Sequence, residues 1–235
     1  MAKPAGMEKF DHINSAEVVW RHAKTHPYGD GRKGARWDLP SFLGTLRGCF
    51  FELGMLCPLG HPTKIVSAGA YTPKAGRHGE GRAIDIDALW WTVTAGVMTS
   101  PRILVTRSYL KHPAFYLGVE AHFRRFFGIV LGWNYNADHK GHWHIDDGHP
   151  VRFVASSHMC TTFVQAALEH VWRLTFDKPA GKKAAAAAMR EPLAEVLRDL
   201  RIDKPLTDAG AWQRFLLATS IQGMNMGVDT LVKSL

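Results

Sequence analysis

Apolar residues recur along this chain with two different periods. Phe42, Leu46, Cys49, Phe50 and Leu53 return at three- and four-residue steps, which predicts a helix over residues 41–56 with one buried face. Phe115, Val119, Phe123 and the Phe126/Phe127 pair predict another over 113–127. Beyond residue 160 the helical period takes over, with one stripe of Phe163, Val164, Ala167, Leu168, Val171 and Trp172 and a second of Leu193, Val196, Leu197 and Leu200. Near the start, Asn14 and Glu17 have the spacing of a capping box and are followed by Val18, Val19, Trp20 and Ala23. They predict a first helix over 15–25, ending before His26-Pro27.

Elsewhere the period shortens to two. Residues 65–70, 83–89, 128–132 and 142–146 read as strands. In the second of these, Asp85 and Asp87 share a face and Ile84 and Ile86 take the other; in the last, His142, His144 and Asp146 share a face opposite Trp143 and Ile145. The Gly- and basic-rich stretch 29–40 reads as a loop, 71–82 as a loop delivering His78, and 134–140 as a polar turn region. Residues 177–188, with Pro, Gly, Lys and five alanines, read as a linker or an exposed helix. The expected fold is α+β: a small antiparallel sheet carrying a metal site, flanked by helices, with a helical C-terminal region. A soft boundary divides residues 1–155, a sheet-bearing domain with N-terminal helices, from 156–235, whose role is open.

Composition narrows the class without choosing a partner. With 46% hydrophobic and 21% charged residues the chain is an ordinary globular protein. Its 29 Lys and Arg against 21 Asp and Glu favour a polyanion of some kind. Those cations are scattered singly or in pairs, so a solvated surface is the simpler reading and nucleic acid is not an expected partner. The first residues lack the apolar stretch of a secretory signal, and no run is long enough to span a bilayer. Cys49, Cys57 and Cys160 are too few for a disulfide framework or a four-cysteine zinc site; reduced core thiols are expected, with a Cys49–Cys57 pair as the alternative.

Chemistry concentrates in residues 76–87 and 138–149, where several of the thirteen histidines sit among carboxylates and glycines. A catalytic zinc takes three protein ligands and one water. His78 from a loop, Asp85 from the strand after it and His144 from a later strand make a two-histidine, one-carboxylate set of that kind, although Mn, Fe and Co accept the same donors. His142, two residues from His144 and about 6.6 Å away along the strand, stands on the same side without ligating. It is suited to moving protons. Arg82, Arg77 and His139 are candidates to steady a developing oxyanion, and Asp87 and Asp146 to orient ligand histidines.

The run His78-Gly79-Glu80-Gly81-Arg82-Ala83-Ile84-Asp85 resembles the H-x-x-G-x-A-x-D signature of D-Ala-D-Ala carboxypeptidase-like zinc peptidases, the LAS group. Residues 127–132, His139 and His142-Trp143-His144-Ile145-Asp146 look like its extensin-like C-terminal branch. The similarity spans about residues 61–148. It implies zinc on His78, Asp85 and His144, a base role for His142, and hydrolysis of amide bonds in bacterial wall peptides. Two positions depart from the pattern. Gly76 stands where a small hydroxyl residue is usual, and Gly141 where carboxypeptidases carry an acid that His142 would replace.

The expected function is therefore a zinc-dependent peptidoglycan hydrolase acting on stem peptides or cross-links. It would be released to the wall by lysis or delivered by a secretion machine. A zinc-stabilised wall-binding module without turnover is the alternative, and a metal-dependent nuclease a third reading. Oligomeric state is not legible.

Overall fold

The computed structural model describes residues 4–21, 36–92, 102–177 and 186–233. In chain order the elements are strands β1 (Glu8–Phe10), β2 (His12–Ile13), β3 (Ala16–Trp20) and β4 (Arg36–Asp38), helix α1 (Pro40–Leu56), and strands β5 (Lys64–Gly69), β6 (Ala83–Trp90) and β7 (Arg102–Leu104). Then follow α2 (Val105–Lys111), α3 (Pro113–Phe126), β8 (Ile129–Leu131), a short 3-10 turn (Ala137–His139), β9 (Trp143–Asp146), α4 (His158–His170), α5 (Arg190–Asp199) and α6 (Ala209–Lys233). The protein is mixed α and β, as its alternating and helical periods require.

Among the described residues seven strands form the main sheet, ordered β2-β3-β5-β6-β9-β8, with β7 also paired to β6. Every pairing is antiparallel except β3 with β5. The long strand β6 is central: β5 lines one edge, while the other is shared by β9 along residues 83–86 and β7 along 88–90. Strands β1 and β4 make a separate two-stranded ribbon.

Residues 16–20 form a strand, where a helix over 15–25 is expected from the sequence. Asn14 and Ser15 are the turn of a β2-β3 hairpin whose register pairs Ile13 with Ala16. Asn14 adopts φ +53°, a left-handed value that asparagine tolerates and a helix cap does not use. Val18, Val19 and Trp20 are β-branched or aromatic, and pairing with β5 satisfies that preference. The remainder of the expected helix, and most of the expected 29–40 loop, lie outside the described residues. So does most of the 177–188 stretch.

The other expected elements form close to their predicted limits because both periods find a partner surface. Ile84, Ile86, Trp143 and Ile145 turn into one buried cluster with Phe42, Phe50, Phe115 and Phe123 from α1 and α3. Trp143 stacks on Tyr116 at 4.7 Å between ring centroids and meets Phe123 edge-on at 5.4 Å. Phe163 of α4, Val196 of α5 and Trp212 and Phe215 of α6 belong to the same cluster, so the C-terminal helices share the core of the sheet layer. Helix α6 packs on α3 with almost no side chain between them. A Cβ at Gly118 would lie 2.6 Å from the Met224 backbone nitrogen, and one at Gly223 2.6 Å from the Ala114 carbonyl oxygen. Cys49, Cys57 and Cys160 are buried and unpaired.

Candidate metal centre

The loop between β5 and β6 is wound tightly enough to aim one imidazole. Gly76 and Gly81 adopt φ +95° and +67°, and the Gly76 carbonyl accepts from the Gly79 and Glu80 amides. Gly76, a departure from the resembled pattern, thus has a backbone reason to be glycine. The result is a buried His78 whose Nδ1 lies 2.8 Å from the Ala70 carbonyl. A carbonyl only accepts, so Nδ1 carries the proton and Nε2 points at Asp85 Oδ2, 3.2 Å away.

Strand pairing supplies the other two groups. Asp85 on β6 and His144 on β9 are directly opposite in the antiparallel ladder, and His144 Nδ1 lies 2.9 Å from Asp85 Oδ1. On its outer side His144 Nε2 donates to Asp146 Oδ2 at 2.9 Å, and Asp146 Oδ1 in turn accepts from the Gly148 amide. Ligand atoms of His78, Asp85 and His144 all lie within 4.8 Å of one another. Two imidazoles therefore have their outer nitrogens fixed on acceptors and their inner nitrogens turned toward one carboxylate. That arrangement orients histidines for a metal and fixes their tautomers. Tetrahedral donors at 2.0–2.1 Å from zinc stand roughly 3.3 Å apart, and Asp85 lies 3.2 Å from His78 Nε2 and 2.9 Å from His144 Nδ1. The group can hold a metal ion.

Its electrostatics point the same way. Burial works against the Asp85 carboxylate, but the adjoining His144 and His78 rings hold its pKa below the usual range. Burial likewise opposes charge on His144, yet Asp146 and Asp85 together raise its pKa to about 9. A positive charge between these carboxylates is strongly favoured, and a divalent ion would supply it.

His142, on the same face of the last strand region, has Nε2 3.8 Å from Asp85 Oδ1. Burial lowers its pKa to about 4, against the pull of Asp85, so it is a neutral imidazole at physiological pH. His139 lies over it with ring centroids 5.2 Å apart and 6.3 Å from His144, and Asn136 Oδ1 receives its Nδ1 at 2.7 Å. Burial also lowers the His139 pKa.

The charged candidates divide. Arg82 donates from Nε to Asp147 Oδ1 at 2.8 Å and from Nη2 to the Asp147 carbonyl, a clamp between the start of β6 and the turn after β9. Arg77 pairs with Glu80. Asp146 holds His144, whereas Asp87 is buried against Arg21 in a two-pronged ion pair. Arg21 escaped the sequence reading because residues 15–25 read as a helix; on a strand it follows Trp20 to the edge of the site. Its charge is felt at His142, whose pKa it helps to lower.

Comparison with family models, with curated proteins and with solved structures finds no match to this chain. The functional reading therefore rests on the residues themselves. Among the described residues no helix is long and apolar enough to cross a membrane.

Proposed function

We propose that the chain is a zinc-dependent hydrolase of amide bonds in the peptide part of bacterial cell wall. The observation that carries this reading is the convergence of His78 Nε2, Asp85 and His144 Nδ1 with each outer imidazole nitrogen already tied. Such a set leaves room for water in a fourth position, as hydrolytic zinc sites do.

Bound there, the ion supplies Lewis acidity that brings a water toward deprotonation near neutral pH and polarises an amide carbonyl. His142 is neutral and beside the cluster, so it accepts the water proton and returns it to the leaving amine. Arg21, whose charge is felt at His142, is the cation beside the developing oxyanion. Arg82, a sequence candidate for that role, braces the strand end through Asp147. Access to the wall would come through lysis or a secretion machine.

Digestion of purified peptidoglycan, with released fragments identified by mass spectrometry, tests the reading. Zinc-loaded wild type should release stem-peptide fragments, and His142→Ala should keep its metal while losing about 10²–10⁴-fold in rate. A wild type that binds zinc and wall but releases nothing would instead support the wall-binding module.

A further inference from the structure

A second concavity adjoins the loop that carries His78. It has a volume of about 450 Å³ and is lined by Trp20, Trp37 and Tyr71 together with Lys9, Arg36 and Thr72. Trp37 and Lys9 are opposite one another in the β1-β4 ribbon, and the Trp37 carbonyl accepts from the Tyr71 amide at 3.2 Å, which fixes one rim against the other. Tyr71 directly follows Ala70, the acceptor of the His78 Nδ1 proton, and the Thr72 amide donates to the His78 carbonyl. Trp20 immediately precedes Arg21. Cleft and metal centre thus share both a loop and a strand end.

We propose that this cleft is a saccharide subsite, holding an N-acetylated amino-sugar ring of the wall glycan while the attached peptide extends to the metal centre. The assignment of a substrate rests on the hydrolase reading; the binding of sugar does not. The axial C–H bonds of a pyranose present a weakly positive surface, which an aromatic ring face attracts through its negative quadrupole. Three aromatic residues around one cavity, with the exposed Lys9 and Thr72 at its margin, match a ring that is apolar on its faces and polar at its edge. Arg36 occupies one side of Trp20, with Cζ 4.1 Å from the ring centroid, leaving Trp37 and Tyr71 as the principal platforms. Among the described residues the lining contributes the exposed Lys9 and the buried Arg36 and no carboxylate, which suits a sugar bearing an acidic substituent or peptide.

The full chain, with and without zinc, is titrated with chitotriose while the indole N–H signals are followed by NMR. Signals of Trp20 and Trp37 should shift saturably, those of the buried Trp143 and Trp212 should not, Tyr71→Ala should weaken binding roughly tenfold and Tyr71→Phe should retain it. In parallel, cleavage of sugar-bearing muropeptides and of the same cross-linked peptides without sugar is compared. Tyr71→Ala should lower kcat/KM only for the former. Absence of saturable shifts at Trp20 and Trp37 overturns the subsite, as does an equal loss on both substrates. Saturable binding by a chain that cleaves neither substrate keeps the subsite and removes the hydrolase reading, so the two failures are told apart.

Discussion

The two faces of the β6-β9 pair are built from the same backbone ladder and put it to opposite uses. On one face Ile84, Ile86, Trp143 and Ile145 are fully buried against α1 and α3, in contacts that depend on shape and apolar area. On the other, Asp85, Asp87, His142 and His144 gather charge and hydrogen-bonding groups that pack little hydrophobic surface. The first face holds the strands in register. That register sets Asp85 opposite His144, so the chemistry of one side is fixed by the packing of the other.

The largest effect expected from this contrast is on the apolar side. Trp143→Ala should destabilise the fold by about 3–5 kcal/mol in denaturant unfolding, since it removes a ring stacked on Tyr116 and met edge-on by Phe123. His144→Ala, one residue away on the other face, should leave metal-free stability much nearer wild type. Equal losses for the two would break the division of labour.

Two carboxylates, Asp85 half-buried and Asp38 buried, sharpen the comparison. Asp85 is held ionised by its imidazoles, whereas Asp38, fully buried at the end of β4, has its pKa raised to about 8, chiefly by burial, with the Tyr71 amide opposing and the Asp147 charge adding. Its ordinary value is 3.8, so between pH 3.8 and about 8 the folded chain keeps a proton that the unfolded chain releases. Stability should then fall as pH rises through that window, by at most about 1.4 kcal/mol per pH unit from this group. Asp38→Asn should flatten that part of the stability-pH curve; an unchanged slope would mean that Asp38 titrates normally.

The smallest effect concerns Gly141, where an added Cβ meets nothing within 4 Å. Gly141→Ala should alter unfolding free energy by less than about 0.5 kcal/mol and leave metal binding intact. The contrast is with Gly118, whose missing Cβ is required by the Met224 backbone.

Much of this was legible in the residues because periodicity and chemistry coincide. Alternation through residues 83–89 and 142–146 separates the apolar face from the polar one and sets Asp85 and His144 on the latter, while His78 comes from the loop before β6. The strand at 16–20 was not legible, since Asn14 and Glu17 have a spacing that both a capping box and a two-residue hairpin turn allow; only pairing with β5, far along the chain, decides between them. Arg21 was hidden with it. Helix α6 left a weak signal because its contact with α3 runs through Gly223 and Gly227 and buries Thr219 and Ser220, residues that no hydrophobic stripe marks. Gly76 read as a chemical departure, yet its φ of +95° makes it a requirement of the turn.

Metal content of the purified chain, measured by elemental analysis after zinc loading and dialysis, tests the central claim most directly. About one zinc per chain in the wild type, and essentially none in His144→Ala or Asp85→Asn of matched circular dichroism, is the predicted result. A wild type that retains no metal, or variants that retain as much as it does, would contradict the account of His78, Asp85 and His144 as a metal centre.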